Sequence, residues 1–181
     1  VASMYAWHRR QPDEAMRWLV ALRERGERHH DLRALAQSHD YAGLILATNG
    51  DPHRALEEHL QALELCDQVG DRLQELDAIG HLVEASLAIG ELEQARAYAE
   101  QALEAVAQVD NPESMAWAYW RIGRVAHALR AWDEALQWFE KAASVFRSAG
   151  ARSQSAMMMY YAAAARLHKG QKSLAVQTFE E

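Results

Sequence analysis

The 181-residue sequence is poor in the residues that build sheets and disulfides. It has 15 β-branched residues against 35 alanines, with three prolines and one cysteine, Cys66. β-Branched residues favour strands and alanine favours helices, so this balance indicates a helical protein and argues against a sheet protein. A lone cysteine cannot form an internal disulfide. This fits a reducing compartment, and we expect a cytoplasmic location.

The sequence also lacks a basic excess and a long apolar run. It has 19 Lys and Arg residues against 26 Asp and Glu, which gives a net charge of −7. Binding to a nucleic-acid backbone needs a clustered basic face, so we expect no direct nucleic-acid partner. No apolar run approaches the roughly 20 residues of a spanning helix, so we expect no membrane partner. Arginine supplies 16 of the 19 basic residues, which indicates a GC-rich, bacterial genome.

What the sequence has is a repeat with a period of 40 residues. Alanine recurs at one position of every period, shortly after a turn-like segment: Ala15, Ala55, Ala95, Ala135 and Ala175. Two further positions are mainly small, one holding Leu22, Ala62, Ala102 and Ala142, the other Ser3, Gly43, Val83, Gly123 and Ala163. Small residues in register let antiparallel helices approach closely, so the period predicts stacked helical hairpins.

Each period is predicted to contain two helices, A and B. Helix A is predicted at residues 1–9, 32–48, 72–89, 112–129 and 152–169, and helix B at 12–25, 52–69, 92–109, 133–149 and 172–181. Apolar residues recur there every three or four positions, the spacing of an amphipathic helix. Proline stands at three predicted starts (Pro12, Pro52, Pro112) and glycine just past three predicted ends (Gly26, Gly70, Gly150). Short connections require neighbouring helices to be antiparallel.

This pattern resembles tetratricopeptide repeats. Residues 82–95 (LVEASLAIGELEQA) and 98–103 (YAEQAL) carry the resemblance: a small residue in mid helix A, Gly at the turn, then Ala, an aromatic residue and Ala in helix B. The resemblance implies an all-α fold, a right-handed α-solenoid of antiparallel helix hairpins. It covers essentially the whole chain as one repeat array, with a partial repeat at 1–31, full repeats at 32–71, 72–111 and 112–151, and a partial repeat at 152–181.

The period departs from the usual length of about 34 residues. The longer variety is similar to the repeats of spindle-orienting scaffold proteins, kinesin light chains and the sensor regions of large bacterial transcription activators. Terminal repeats of a solenoid need a polar outer face, and the ends of this sequence lack one. We therefore expect the chain to be part of a longer array; the alternative is that exposed ends stack on one another, giving self-association.

In the architecture that the resemblance implies, the A helices line a concave groove. Spacing places ten candidate partner-binding residues in it: Asp40, Asp77, His81, Glu84, Trp117, Trp120, Arg121, Arg124, Met157 and Tyr160. The partial first repeat adds Met4, Trp7 and His8. The groove is predicted to be acidic in the middle, and toward the C-terminal end four apolar residues form what we call the aromatic shelf: Trp117, Trp120, Met157 and Tyr160. For the two tryptophans the alternative is ordinary packing between helices.

Catalytic, metal and cofactor sites are not expected. A zinc site needs three or four converging ligands, whereas His53 and His59 do not share a helix face and His81 has Glu84 alone beside it. Cys66 lies on the predicted buried face of helix B with no adjacent His, so a nucleophile is not expected. Phosphate-binding glycine loops, nucleophile elbows and His-Glu-x-x-His motifs are absent from the sequence.

We therefore predict a non-enzymatic module that binds a peptide or protein segment in the groove. The partner is expected to combine apolar side chains with both charges. The alternative is a ligand-sensing and oligomerisation region of a bacterial transcription regulator. A third hypothesis is a structural spacer that holds flanking domains apart.

Overall fold

A computed structural model describes residues 12–180, and all regular secondary structure in that range is α-helical. The helices are α1 (Pro12–His29), α2 (Leu32–Thr48), α3 (Pro52–Val69), α4 (Arg72–Ile89), α5 (Leu92–Val106), α6 (Pro112–Ala128), α7 (Trp132–Ser148), α8 (Arg152–His168) and α9 (Lys172–Glu180). The all-α prediction is confirmed. The predicted helix at 1–9, with Ser3, Met4, Trp7 and His8, lies outside the described residues.

The starts of α2 and α3 are fixed by side-chain caps that the sequence supplies. The carboxylates of Asp31 and Asp51 accept hydrogen bonds from the backbone N–H groups of Ala34 and Arg54, at the starts of α2 and α3. These bonds satisfy N–H groups that the first helical turn leaves without a partner. At the end of α3, Gly70 adopts the left-handed conformation, with φ of 66°, and the chain turns directly into the next helix.

Two predicted helix ends are wrong. Helix α1 continues through Gly26 to His29, and the left-handed turn falls on His30, with φ of 51°. Gly26 is instead a contact position, because a Cβ there would lie 2.8 Å from Leu35 Cγ. Helix α5 ends at Val106, three residues before the predicted end. The following Asn111 precedes Pro112, which disfavours helical backbone at Asn111 and leaves it extended as the cap of α6.

The chain divides into two compact units, which we call unit 1 (to Ile89) and unit 2 (from Gly90). Within unit 1, α2 packs against α1, α3 and α4, and α3 also packs against α4. Connections of two or three residues make successive helices antiparallel. The alanines predicted at the helix contacts, Ala15, Ala55 and Ala62, are fully buried, and larger side chains such as Ile79, Leu82 and Val83 fill the space between helices.

Unit 2 repeats the same arrangement with aromatic residues in its core. Each of its helices, α5 to α9, packs against the next. Ala95, Ala135 and Ala175 are fully buried at the predicted contact position, and Phe139, Phe146 and Met158 are the largest fully buried side chains of this unit. Within residues 12–180, none of the helices is long and apolar enough to cross a lipid bilayer.

Candidate functional site

Three polar side chains from three helices of unit 1 meet at one point. Asp40 lies on α2, His59 on α3 and His81 on α4. The Nδ1–H groups of His59 and His81 both donate to Oδ1 of Asp40, over 2.9 Å and 2.8 Å. The two imidazole ring centres are 4.9 Å apart. We call this group the Asp–His cluster.

His59 occupies a position that belongs to the apolar core in every other described repeat. The residues one period away are Leu19 and Ala99, and Phe139 lies two periods away; all three are buried, and His59 itself is 1% exposed. Gly43 makes room for the ring, because a Cβ at residue 43 would lie 2.5 Å from His59 Cε1. In unit 2, Gly123 makes room for the Phe139 ring in the same way. The local fold therefore accepts an imidazole where it otherwise accepts an apolar side chain.

Two members of the cluster, Asp40 and His59, have lowered pKa values. Burial alone would raise the pKa of the Asp40 carboxyl, but the hydrogen bonds from His59 and His81 outweigh it and hold this pKa well below its usual value of 3.8. Burial lowers the pKa of the His59 imidazole below 6.5, and the hydrogen bond to Asp40 opposes this only in part. The Asp40 carboxyl is therefore ionised and the His59 imidazole is neutral at neutral pH.

A cavity of about 350 Å³ opens beside the cluster. His59, His81 and Glu84 supply its polar lining, and the remaining lining residues are apolar or glycine: Leu44, Ala47, Gly50, Pro52, Ala85 and Ala88. On the other side, Asp40 and Asp77 line a shallow depression of about 250 Å³ together with Gln37 and Tyr41. Unit 1 thus presents acidic groups and imidazoles next to apolar surface.

In unit 2, the aromatic side chains of α6 and α8 form a chain of ring contacts. The rings of Trp117 and Trp120 are 5.5 Å apart, Trp120 is 5.8 Å from Tyr161, and Tyr161 is 5.6 Å from Tyr160. Trp117 also contacts the buried ring of Phe146 at 5.2 Å. Both tryptophans are half-buried and pack against the core of unit 2, whereas Tyr160 is 57% exposed. The shelf therefore has a packed base and an exposed tip.

A cation borders this shelf. The Arg124 guanidinium lies 5.1 Å from the centre of the Trp120 ring, within the range of a cation–π contact. Arg121, one helical turn before it, is half-buried. The arrangement has a counterpart on a B helix, α7, where the Lys141 ammonium lies 4.1 Å from the centre of the Trp138 ring. Both pairs place a cation over a tryptophan ring, but the Arg124–Trp120 pair lies on an A helix and the Lys141–Trp138 pair on a B helix.

The predicted site residues lie in different environments. Asp40 is 7% exposed, inside the Asp–His cluster, whereas Asp77 is exposed. His81 and Glu84 are half-buried and line the cavity, and Met157 is half-buried against the core that also holds Trp117 and Trp120. The convergence of Asp40, His59 and His81 is absent from the sequence-based expectations. One feature of the sequence could have indicated it: His59 occupies a core position of the repeat, with Asp40 19 residues before it and His81 22 residues after it.

Cys66 has the character expected of a core thiol. It is 0% exposed, and burial raises the pKa of its thiol to about 12. The thiolate form is therefore scarce at neutral pH, which does not favour a nucleophilic role.

The fold has clear counterparts among solved structures. A Rap protein in complex with Competence and Sporulation Factor is 17% identical, with a TM-score of 0.84 over 97% of this chain and 50% of that one. A putative kinesin light chain with nearly identical TPR-like repeats, from Podospora anserina, is 18% identical, with a TM-score of 0.76 over 99% of this chain and 91% of that one. No protein-family model matches the chain, and no curated protein sequence does.

A third counterpart is a signal transduction ATPase with numerous domains (STAND) from Pyrococcus horikoshii, which carries a tetratricopeptide repeat sensor. It is 21% identical, with a TM-score of 0.75 over 86% of this chain and 24% of that one. The chain thus spans half the length of the Rap protein and about a quarter of the ATPase. Together these structures establish the class: the fold is a tetratricopeptide-like repeat of helix hairpins, and the predicted resemblance is confirmed.

Proposed function

We propose that this chain is a protein-interaction module and that unit 2 binds a peptide or protein segment on the face formed by α6 and α8. The observation that carries the proposal is the shelf itself. Its base of Trp117 and Trp120 is fixed against the core, its tip at Tyr160 is 57% exposed, and Arg124 borders it. Aromatic residues and arginine are the types that most often dominate binding energy at protein interfaces.

The shelf chemistry defines the kind of segment it would bind. Rings held in edge-to-face contact favour an aromatic or aliphatic anchor, because large apolar surface can be buried there without ordering flexible side chains. A guanidinium beside that surface favours a carboxylate next to the anchor. We therefore expect a segment in which an apolar anchor is flanked by Asp or Glu.

The structural counterparts support a binding role without defining the partner. The Rap protein of this fold was solved in complex with a factor, and the archaeal ATPase uses its repeats as a sensor. The predicted groove running along all A helices stays a prediction, as does the place of Asp77 and Glu84 in it.

The test is selection of peptides from a displayed random library, followed by calorimetric affinities for the selected sequences. Tyr160→Ala and Arg124→Ala change the shelf, and Lys141→Ala is the matched control, because it removes a cation from a tryptophan ring on α7. A central interface residue contributes about 2 kcal/mol or more, so each shelf variant should weaken binding about 30-fold.

Lys141→Ala should leave the affinity unchanged. Equal losses in Arg124→Ala and Lys141→Ala, or selected peptides whose affinity neither shelf variant changes, would contradict the proposal. Trp120→Ala is less informative, because Trp120 packs against the core and its removal also destabilises the fold.

Ligand sensing is the second candidate, and one observation favours it. The cavity of unit 1, about 350 Å³, is of the size that small-molecule sites have. Leu44→Trp would fill part of it without touching the shelf. A small molecule that raises the melting temperature of the wild type and not of Leu44→Trp would support sensing, and this variant should still bind the selected peptides.

A further inference from the structure

The Asp–His cluster offers one ligand atom from each of three helices of unit 1. The carboxylate oxygen of Asp40 and the ring nitrogens of His59 and His81 all lie within 4.8 Å of one another. We propose that these three side chains bind a divalent transition metal ion, with zinc as the best match. This proposal does not rest on the peptide-binding role of unit 2.

The spacing of the three atoms suits such an ion. Zinc lies about 2.0 Å from imidazole nitrogen and carboxylate oxygen, which places neighbouring ligand atoms about 3 Å apart. The two observed separations, 2.9 Å and 2.8 Å, are already close to that value. An ion can therefore replace the two hydrogen bonds, and the two histidine nitrogens, which lie within 4.8 Å of each other, would draw together around it. Each Nδ1 would then present its lone pair, and each Nε2 would carry the proton.

The donor set selects among metals. Two imidazoles and one carboxylate are the ligands of several zinc and non-haem iron sites, where one or more positions stay open. Calcium and magnesium take oxygen ligands, and copper(I) prefers sulfur. Zinc and its analogue cobalt(II) therefore fit better than the hard cations.

The ion has a route to the site. The His81 side chain is 17% exposed, and His81 and His59 both line the cavity that opens beside the cluster. The same cavity can admit a water molecule to the position that the three ligands leave open.

Packing alone does not require these groups. The equivalent positions of His59 in other repeats hold Leu19, Ala99 and Phe139, and each gives a buried contact without any polar partner. Burying a carboxylate and an imidazole costs desolvation energy that an apolar residue avoids. A metal ion that ties α2, α3 and α4 together supplies a reason for this composition.

The test starts from protein stripped with a chelator and then dialysed. Cobalt(II) is added while visible absorption is recorded, and zinc affinity is measured by calorimetry. Asp40→Asn and His81→Gln each remove a ligand. His59→Phe introduces the residue found at the equivalent position 139 and so keeps the fold. His53→Gln is the control, because His53 is an exposed histidine on the same helix as His59.

One ion per chain should bind the wild type and His53→Gln, with ligand-field absorption bands of cobalt in a nitrogen and oxygen site. Affinity should fall about 100-fold or more in Asp40→Asn, His81→Gln and His59→Phe. At zinc 100-fold above its Kd, the melting temperature of the wild type should rise by roughly 5–10 °C. No stoichiometric binding to the wild type, or equal binding to folded His59→Phe, would overturn the proposal.

Discussion

Removing the carboxylate of Asp40 should destabilise unit 1 even when no metal ion is present. In Asp40→Ala, the Nδ1–H of His59 loses its acceptor at a site that is 1% exposed. A buried donor left without a partner costs about 1–3 kcal/mol. The bond from His81, which is half-buried, adds about 1 kcal/mol. Because alanine is a better helix former than aspartate, the substitution also recovers about 0.7 kcal/mol of stability.

The free energy of unfolding should therefore fall by about 1.3–3.3 kcal/mol. Asp40→Asn should lose less, because its side-chain oxygen can still accept a hydrogen bond. The measurement is urea denaturation followed by circular dichroism at 222 nm in the presence of a chelator. Glu57→Ala, at an exposed residue of α3, is the control and should change stability by less than about 0.5 kcal/mol. A loss of under about 1 kcal/mol in Asp40→Ala would mean that the Asp40 carboxylate does not stabilise unit 1 through these hydrogen bonds.

Two further predictions concern packing and pH. Gly43→Ala should lower the melting temperature, because the added Cβ would lie 2.5 Å from the His59 ring. This clash should outweigh the stability of about 1 kcal/mol that Gly→Ala gains in an open helix. Combining Gly43→Ala with His59→Ala, which removes the ring, should relieve the loss. Burial lowers the pKa of the His127 imidazole below 6.5, and the nearby charges of His168 and Arg124 lower it further. Below pH 6.5 the unfolded chain therefore protonates His127 more readily than the folded chain does, and the stability of the fold decreases. Urea midpoints at pH 7.5 and 5.5 should differ less in His127→Gln than in the wild type; an equal difference would contradict the assignment.

The repeat period was the part of the fold that could be predicted most securely. Five alanines in register require a recurring close contact between helices, and each of them is fully buried. Caps are also local: Asp51 before Pro52 fixes the start of α3 whatever the tertiary contacts are. Such features depend on a few neighbouring residues, which the sequence shows directly.

Gly26 shows where local rules fail. A glycine near the end of an apolar pattern usually marks a helix end. Gly26 instead lies inside α1, where the absence of a side chain lets Leu35 of the next helix pack closely against it. The helix continues because glycine in a helix costs only about 1 kcal/mol, which a close interhelical contact can offset.

The Asp–His cluster was missed for a different reason. Its members are 19 and 22 residues apart in sequence and share no helix, so spacing within a helix does not reveal them. The 40-residue period does place residue 40 beside residue 81 on neighbouring A helices. The contact of Asp40 and His81 with His59, however, depends on the orientation of α3 about its axis. That orientation depends on the packing of the His59 ring against Gly43.

We propose that a partner segment binds on the shelf of unit 2, and crosslinking can locate it there. The most direct measurement places a photo-crosslinking amino acid at residue 160, using Tyr160→benzoylphenylalanine, and irradiates the protein with a peptide selected by the wild type. Gln137→benzoylphenylalanine, at an exposed position on α7, is the control. We expect an efficient crosslink from residue 160 and little from residue 137. Equal crosslinking from both, or crosslinking from residue 137 alone, would contradict it.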